Sequence, residues 1–174
     1  MSNQISKVLV SKVLLSKVQG SMIGHGALIM FISLVAGIML TFDMLEGIKI
    51  WPFLDIPAEI PGSIRGWKAA HVGGLLNAVM ILVVALCVSK VTLSVKSLNF
   101  IHWSFILTGW GNTVFYWAGN IAMNRGLSVG ATPYGEGDFY GAIAFLSAVS
   151  IMFFTMMGCL ILMKAGFQLS SSSE

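Results

Sequence analysis

The chain has 174 residues, of which 56% are hydrophobic and 10% charged, and its mean hydropathy is +0.87. A soluble domain of this length needs far more surface charge, so the composition points to one small membrane domain with no room for a second folded unit. The net charge of +3 comes from residues scattered through loops and tails, not from the dense basic patch that nucleic-acid binding requires.

Residues 1–21 open with a threefold repeat, SKVLV, SKVLL, SKVQG. Its period turns each lysine by about 140° on a helix, so the lysines spiral around the axis. Lysines interrupting the apolar run also make a poor signal peptide. The segment reads as a cytoplasmic N-terminal extension. Four stretches then follow, at 22–44, 66–88, 101–122 and 139–163, each near the roughly 20 apolar residues that a bilayer crossing takes. Backbone groups in lipid must be satisfied within the segment, which makes these helices. The expected fold is an all-α integral membrane protein, a four-transmembrane-helix bundle over residues 22–165, with residues 166–174 as a disordered tail.

Between the first two spans, EGIKIWPFLDIPAEIPGSIRGW holds three of the four prolines and reads as a structured connecting loop. Its Trp51 and Trp67 suit the headgroup region. The second loop, SKVTLSVKSLN, is short, and the third, NRGLSVGATPYGEGD, is glycine-rich and turn-forming. Lys7, Lys12, Lys17, Lys90, Lys96 and Lys164 fall on one side of the membrane, and Lys49, Arg65, Lys68 and Arg125 on the other. The positive-inside rule then places both termini in the cytoplasm. Cys87 and Cys159 form no CxxC pair and read as buried apolar thiols.

The third span carries a polar stripe. Asn112, Tyr116 and Asn120 recur every four residues and share one helix face. Such a face is expensive in lipid without a partner. The second span offers His71 and Asn77. Counting about 1.5 Å per residue from the shared loop side puts His71 level with Tyr116, and Asn77 level with Asn112. Ala70, Gly74 and Ala78 lie beside the His71 face, with Gly73 close by. Small residues admit either a neighbouring helix or a flat ligand, and a planar cofactor ligated by an imidazole needs such a gap. Helix packing and a ligand site both fit these residues; the matching depths favour the site.

Trp103, Trp110 and Trp117 recur every seven residues, roughly opposite the polar stripe, and are expected against lipid or another subunit. The methionine-rich fourth span reads as apolar packing. His25 and His102 fall at the other membrane face. Two histidines at one depth can clamp a haem from both sides, but the plainer expectation is interfacial contact with water or headgroups. No Walker A, GxSxG, HExxH or zinc-type spacing is present. No span has a central Asp or Glu, which counts against a proton-coupled transporter.

Three segments, GHGALIM, PGSIRGWKAAHVGGLLNAVM and GWGNTVFYWAGNIAMNRGLSVG, resemble the styrene oxide isomerase family over most of residues 22–141. A histidine followed six residues later by asparagine also resembles hydroxylaminobenzene mutases, but the NRGL loop and the FYW segment favour the epoxide isomerases. The resemblance implies a b-type haem with ferric iron, a homotrimer in a bacterial inner membrane, and rearrangement of a small apolar aryl epoxide to an aldehyde. It implies His71 as the axial ligand, with Gly74 and Ala78 lining the cofactor. Asn77, Asn112 and Tyr116 would then line the substrate side. The expected partners are therefore the epoxide, membrane lipid and further copies of the chain, without nucleic acid. Rival readings are a mutase acting on arylhydroxylamines, a small b-type cytochrome carrying electrons, and a non-enzymatic scaffold or transporter subunit.

Overall fold

A computed structural model describes residues 2–171, with side chains from residue 12 onward. Four helices dominate: α1 (Ser2–Met44), α2 (Ile64–Cys87), α3 (Val95–Ile121) and α4 (Phe139–Ser171). Three of them, α1 from Lys12, α2 and α4, are long and apolar enough to cross a membrane. At 27 residues α3 is also long enough, but its His, Asn, Ser and Thr side chains make it less apolar than its neighbours.

The packing departs from a closed ring of four helices. α1, α2 and α3 pack mutually, whereas among the described residues α4 packs against no helix but α3. Small residues on α3 account for this docking. A Cβ at Gly111 would stand 2.5 Å from Ile151 Cδ1 and 2.9 Å from the Ser147 carbonyl, and Thr108 hydrogen-bonds Thr155 through their hydroxyls. The core has two parts. The larger joins Met22, Ile29, Ala78, Ile81, Ile101 and Phe105. The smaller, near the α1–α2 connection, joins Ala36, Trp67 and Ala70.

That connection contains a hairpin, β1 (Gly47–Ile50) with β2 (Leu54–Pro57), antiparallel with Gly47 opposite Pro57 and Ile50 opposite Leu54. The bond between Trp51 and Pro52 at its tip is cis. Trp51 is 90% exposed, as expected of a headgroup tryptophan. Trp67 is not. It is buried, donates its indole N–H to the Pro61 carbonyl at 3.0 Å and meets Trp117 edge-on. Cys87 and Cys159 are unpaired but exposed, not buried. Residues 166–171, expected as tail, continue α4 as helix. Residues 2–21, expected as an extension, form the first part of α1, where Val18 is buried in the core and Gln19 donates to the Ala85 carbonyl at 2.7 Å. Residues 172–174 of the expected tail lie outside the described residues.

Helix starts follow local chemistry. Ser63 caps α2, its hydroxyl accepting from Gly66 N at 3.1 Å, and Ser94 caps α3 through Ser97 N. Asp138 precedes α4 and accepts from Gly141 N at 2.6 Å, while its other oxygen takes Met123 N, just past α3, at 2.9 Å. One carboxylate thus starts α4 and ties it to the end of α3.

The N–H groups of Met123, first, and then of Gly141 and Tyr140 hold the Asp138 carboxyl below its ordinary value. A carboxylate with a lowered folded pKa adds stability above the ordinary carboxylate range, and this is lost as pH falls through the folded value. Asp138→Ala is expected to lower the thermal midpoint at neutral pH by a few degrees and to flatten its acid dependence. Melting curves in detergent from neutral pH to pH 3 check both; an unchanged acid limb would remove the role of Asp138.

Candidate functional site

α2 presents different chemistry to its two neighbours. Towards α1, His71 Nδ1 lies 2.8 Å from the Ser33 carbonyl oxygen. A carbonyl oxygen only accepts, so Nδ1 carries the proton and donates it. The other ring nitrogen, Nε2, then holds an in-plane lone pair, the state in which imidazole binds a metal. His71 is half-buried.

The approach that allows this contact depends on small residues. A Cβ on Gly37 of α1 would stand 2.7 Å from His71 Nδ1, and one on Gly74 would stand 2.0 Å from Ser33 Oγ. Gly74 and Ala78 are buried towards α1. Their small size is therefore taken up by helix packing, which brings α1 close enough for its backbone to meet the imidazole.

Towards α3, Asn112 donates its side-chain amide to Asn77 Oδ1 at 2.9 Å, and Asn77 donates to the Gly73 carbonyl at 2.8 Å. The Tyr116 ring lies over Gly73, where a Cβ would stand 2.4 Å from Cζ and 2.7 Å from the phenolic oxygen. Asn77, Asn112 and Tyr116 therefore form one group against the backbone of α2. Asn120, at the end of the same stripe, belongs elsewhere. Its Oδ1 accepts from Ser63 N and Ser63 Oγ, at 2.9 and 3.2 Å, which fastens α3 to the start of α2. Gly73 is about 160° around the helix from His71, so the imidazole and the Asn–Tyr group leave α2 on different faces.

Three cavities touch this group; the smallest, of about 120 Å3, is lined by Tyr116, Asn120, Arg65 and Arg125 among others. One of about 380 Å3 is lined by Arg65, Lys68, Ala69, Val72, Leu76 and Tyr116. Another, of about 390 Å3, lies between α3 and α4, lined by Asn112, Thr108, Thr155, Met152 and Met156 among others. Methionines expected only as packing thus line a cavity that reaches Asn112.

His25 and His102 stand at the other end of the bundle. His25 Nδ1 accepts from Trp110 Nε1 at 3.1 Å, and His102 Nε2 lies 3.0 Å from Ser21 Oγ. His102 is buried, so it does not face headgroups. Of the α3 tryptophans, Trp103 is 55% exposed, as expected, while Trp110 and Trp117 pack inwards on His25 and Trp67.

The donor set fits a haem better than a bare metal ion. One imidazole with a free Nε2, beside uncovered apolar surface, can hold an iron whose other equatorial ligands come from a porphyrin. No group of three or more His, Cys, Asp or Glu side chains able to hold an ion occurs among the described residues. Sequence reasoning missed Ser33 and Gly37. A backbone carbonyl leaves no mark in sequence, and Gly37 is one of many glycines in the spans.

Residues 18–167 match the sequence profile of the styrene oxide isomerase family. The chain is also similar to the styrene-oxide isomerase of Pseudomonas fluorescens, with 35% identity over 127 residues that cover 73% of this chain and 75% of that protein. The matched region spans all four helices, including His71, Asn77, Asn112 and Tyr116. This chain is an isomerase belonging to the styrene oxide isomerase family.

Proposed function

We propose that the chain rearranges an aryl epoxide of the styrene oxide type to the arylacetaldehyde, using a ferric haem b ligated by His71. The observation that carries this reading is the His71–Ser33 contact, which leaves Nε2 free on a helix apolar enough to span a bilayer. When bound, the haem supplies a Lewis-acidic iron.

The reaction is redox-neutral. The benzylic C–O bond breaks because an aryl ring stabilises the positive charge left behind. A hydride shifts from the oxygen-bearing carbon to the benzylic carbon, and the oxygen-bearing carbon becomes the aldehyde. The Tyr116 hydroxyl can donate a hydrogen bond to the epoxide oxygen as negative charge grows on it. Asn112, held by Asn77, fixes the substrate beside it. The Asn77–Gly73 bond sets the rotamer of Asn77 and, through it, that of Asn112. Apolar surroundings keep water from trapping the cation as a diol, and apolar epoxides partition into them.

The same reading takes all four helices as spans of a membrane domain over 22–165, with 1–21 as a cytoplasmic extension and both termini in the cytoplasm of a bacterial inner membrane. α3 crosses despite its polar side chains because several bond inwards to α1, α2 and α4. The assembly is a homotrimer. Its support is the uncovered apolar face of α2, with Val72 46%, Leu76 65%, Val79 46% and Val83 49% exposed, and the divergence of His71 from Tyr116 around α2. A neighbouring copy covers that face and completes the wall of the site.

His71→Ala is expected to abolish both the Soret absorbance of the detergent-purified protein and its epoxide isomerisation. Full haem loading in that variant would assign the ligand elsewhere. A low-spin spectrum of two histidines in the wild-type protein would instead favour an electron carrier.

Tyr116→Phe is expected to keep the haem and lower kcat about 100-fold. Single-turnover rates with styrene oxide check it; wild-type rates would remove the phenol from the mechanism.

A further inference from the structure

The side of α2 that no helix covers begins at the flank of His71. Lys68 lies about 60° and Arg65 about 120° around the helix from His71, one and two turns nearer the loop, or roughly 4.5 and 9 Å along the axis. Below them the same face is apolar, through Val72, Leu76 and Val79. Tyr116 closes its far edge, and Arg65, Lys68, Val72, Leu76 and Tyr116 line the open 380 Å3 cavity.

Neither cation has an acidic partner among the described residues, where the ion pair is Lys49 with Asp55 at 3.6 Å. Arg125, the other arginine near Tyr116, sits over the Tyr134 ring at 4.2 Å. Cations at a membrane boundary ordinarily reach for water. These two are exposed and rim a cavity whose floor is apolar, on the flank of α2 that begins about one turn from the metal-competent imidazole of His71. A haem has the complementary form: a flat apolar macrocycle with two carboxylates on one edge. Within a bilayer those carboxylates need cationic partners, and arginine meets a carboxylate with two parallel hydrogen bonds.

We propose that Arg65 and Lys68 bind the two haem propionates and so set which way the porphyrin lies on α2. The assignment rests on the haem reading above. It makes Arg65 and Lys68 cofactor-binding residues, distinct from the iron ligand. An anionic lipid headgroup offers the same carboxylate or phosphate chemistry, and the test separates the two.

Wild-type protein, Arg65→Gln, Lys68→Gln and the double variant are loaded in non-ionic detergent with haem b or with its dimethyl ester. Loss of the Soret band to excess haem-scavenging globin is then followed. For haem b, the double variant is expected to lose the group about tenfold faster than wild type, with an unshifted Soret maximum because His71 still ligates. Arg65→Lys should recover part of the loss. For the ester, variant and wild type should lose the group at one rate. Equal rates for haem b in wild type and double variant would overturn the assignment and leave the haem intact. Loss of co-purifying anionic lipid from the variants with no change in haem retention would overturn it in favour of a headgroup. A wild-type protein that takes up neither porphyrin would overturn the haem reading itself.

Discussion

The hydrogen bond from the His71 imidazole to the Ser33 carbonyl fixes which nitrogen of the ring is available. Its acceptor is main-chain oxygen inside a helix, using the lone pair left over from the helical ladder. No substitution can delete that acceptor directly. Its position depends on how closely α1 approaches α2, and so on the absence of side chains at Gly37 and Gly74. Packing and chemistry are one constraint here. The small residues that look like helix–helix glue are what orient the ring.

On the opposite side, α3 solves a different problem. Polar side chains in lipid destabilise a span unless they find partners, and each interhelical hydrogen bond recovers only about 0.6–2 kcal/mol. α3 distributes its polar groups among all three neighbours: His102 to α1, Asn112 to α2, Thr108 to α4. It is the central element of the molecule, which explains why α4 can pack against α3 alone. Asp138 secures that arrangement at the loop end, because its two oxygens serve both helices.

Much of this was legible in the sequence. Hydrophobic length located all four helices, and counting residues from a shared loop placed Asn77 beside Asn112, a bond the structure makes at 2.9 Å. Periodicity was less informative about roles. Asn112, Tyr116 and Asn120 share a face, yet Asn120 serves as a clasp on Ser63. That distinction depends on where α2 begins, which a face count cannot see. Gly74 and Ala78 were recognisable as an opening, but a second helix fills it. The hairpin was hidden because its strands are four residues each and prolines dominate the segment. Trp67 looked interfacial by position, whereas tertiary contact with Trp117 and Pro61 buries it.

The length of α1 carries one more consequence. Its 43 residues extend about 65 Å, roughly twice the hydrocarbon thickness of a bilayer. Val18 and Met22 pack in the bundle core and Gln19 donates to the Ala85 carbonyl, so it is the stretch of α1 ahead of Leu14 that continues past the bundle as an unbroken rod. A domain fused ahead of it would be held at a set distance and azimuth, as on a rigid mast. Each inserted residue would swing that cargo by about 100°, so fusion length would govern its bearing as well as its reach.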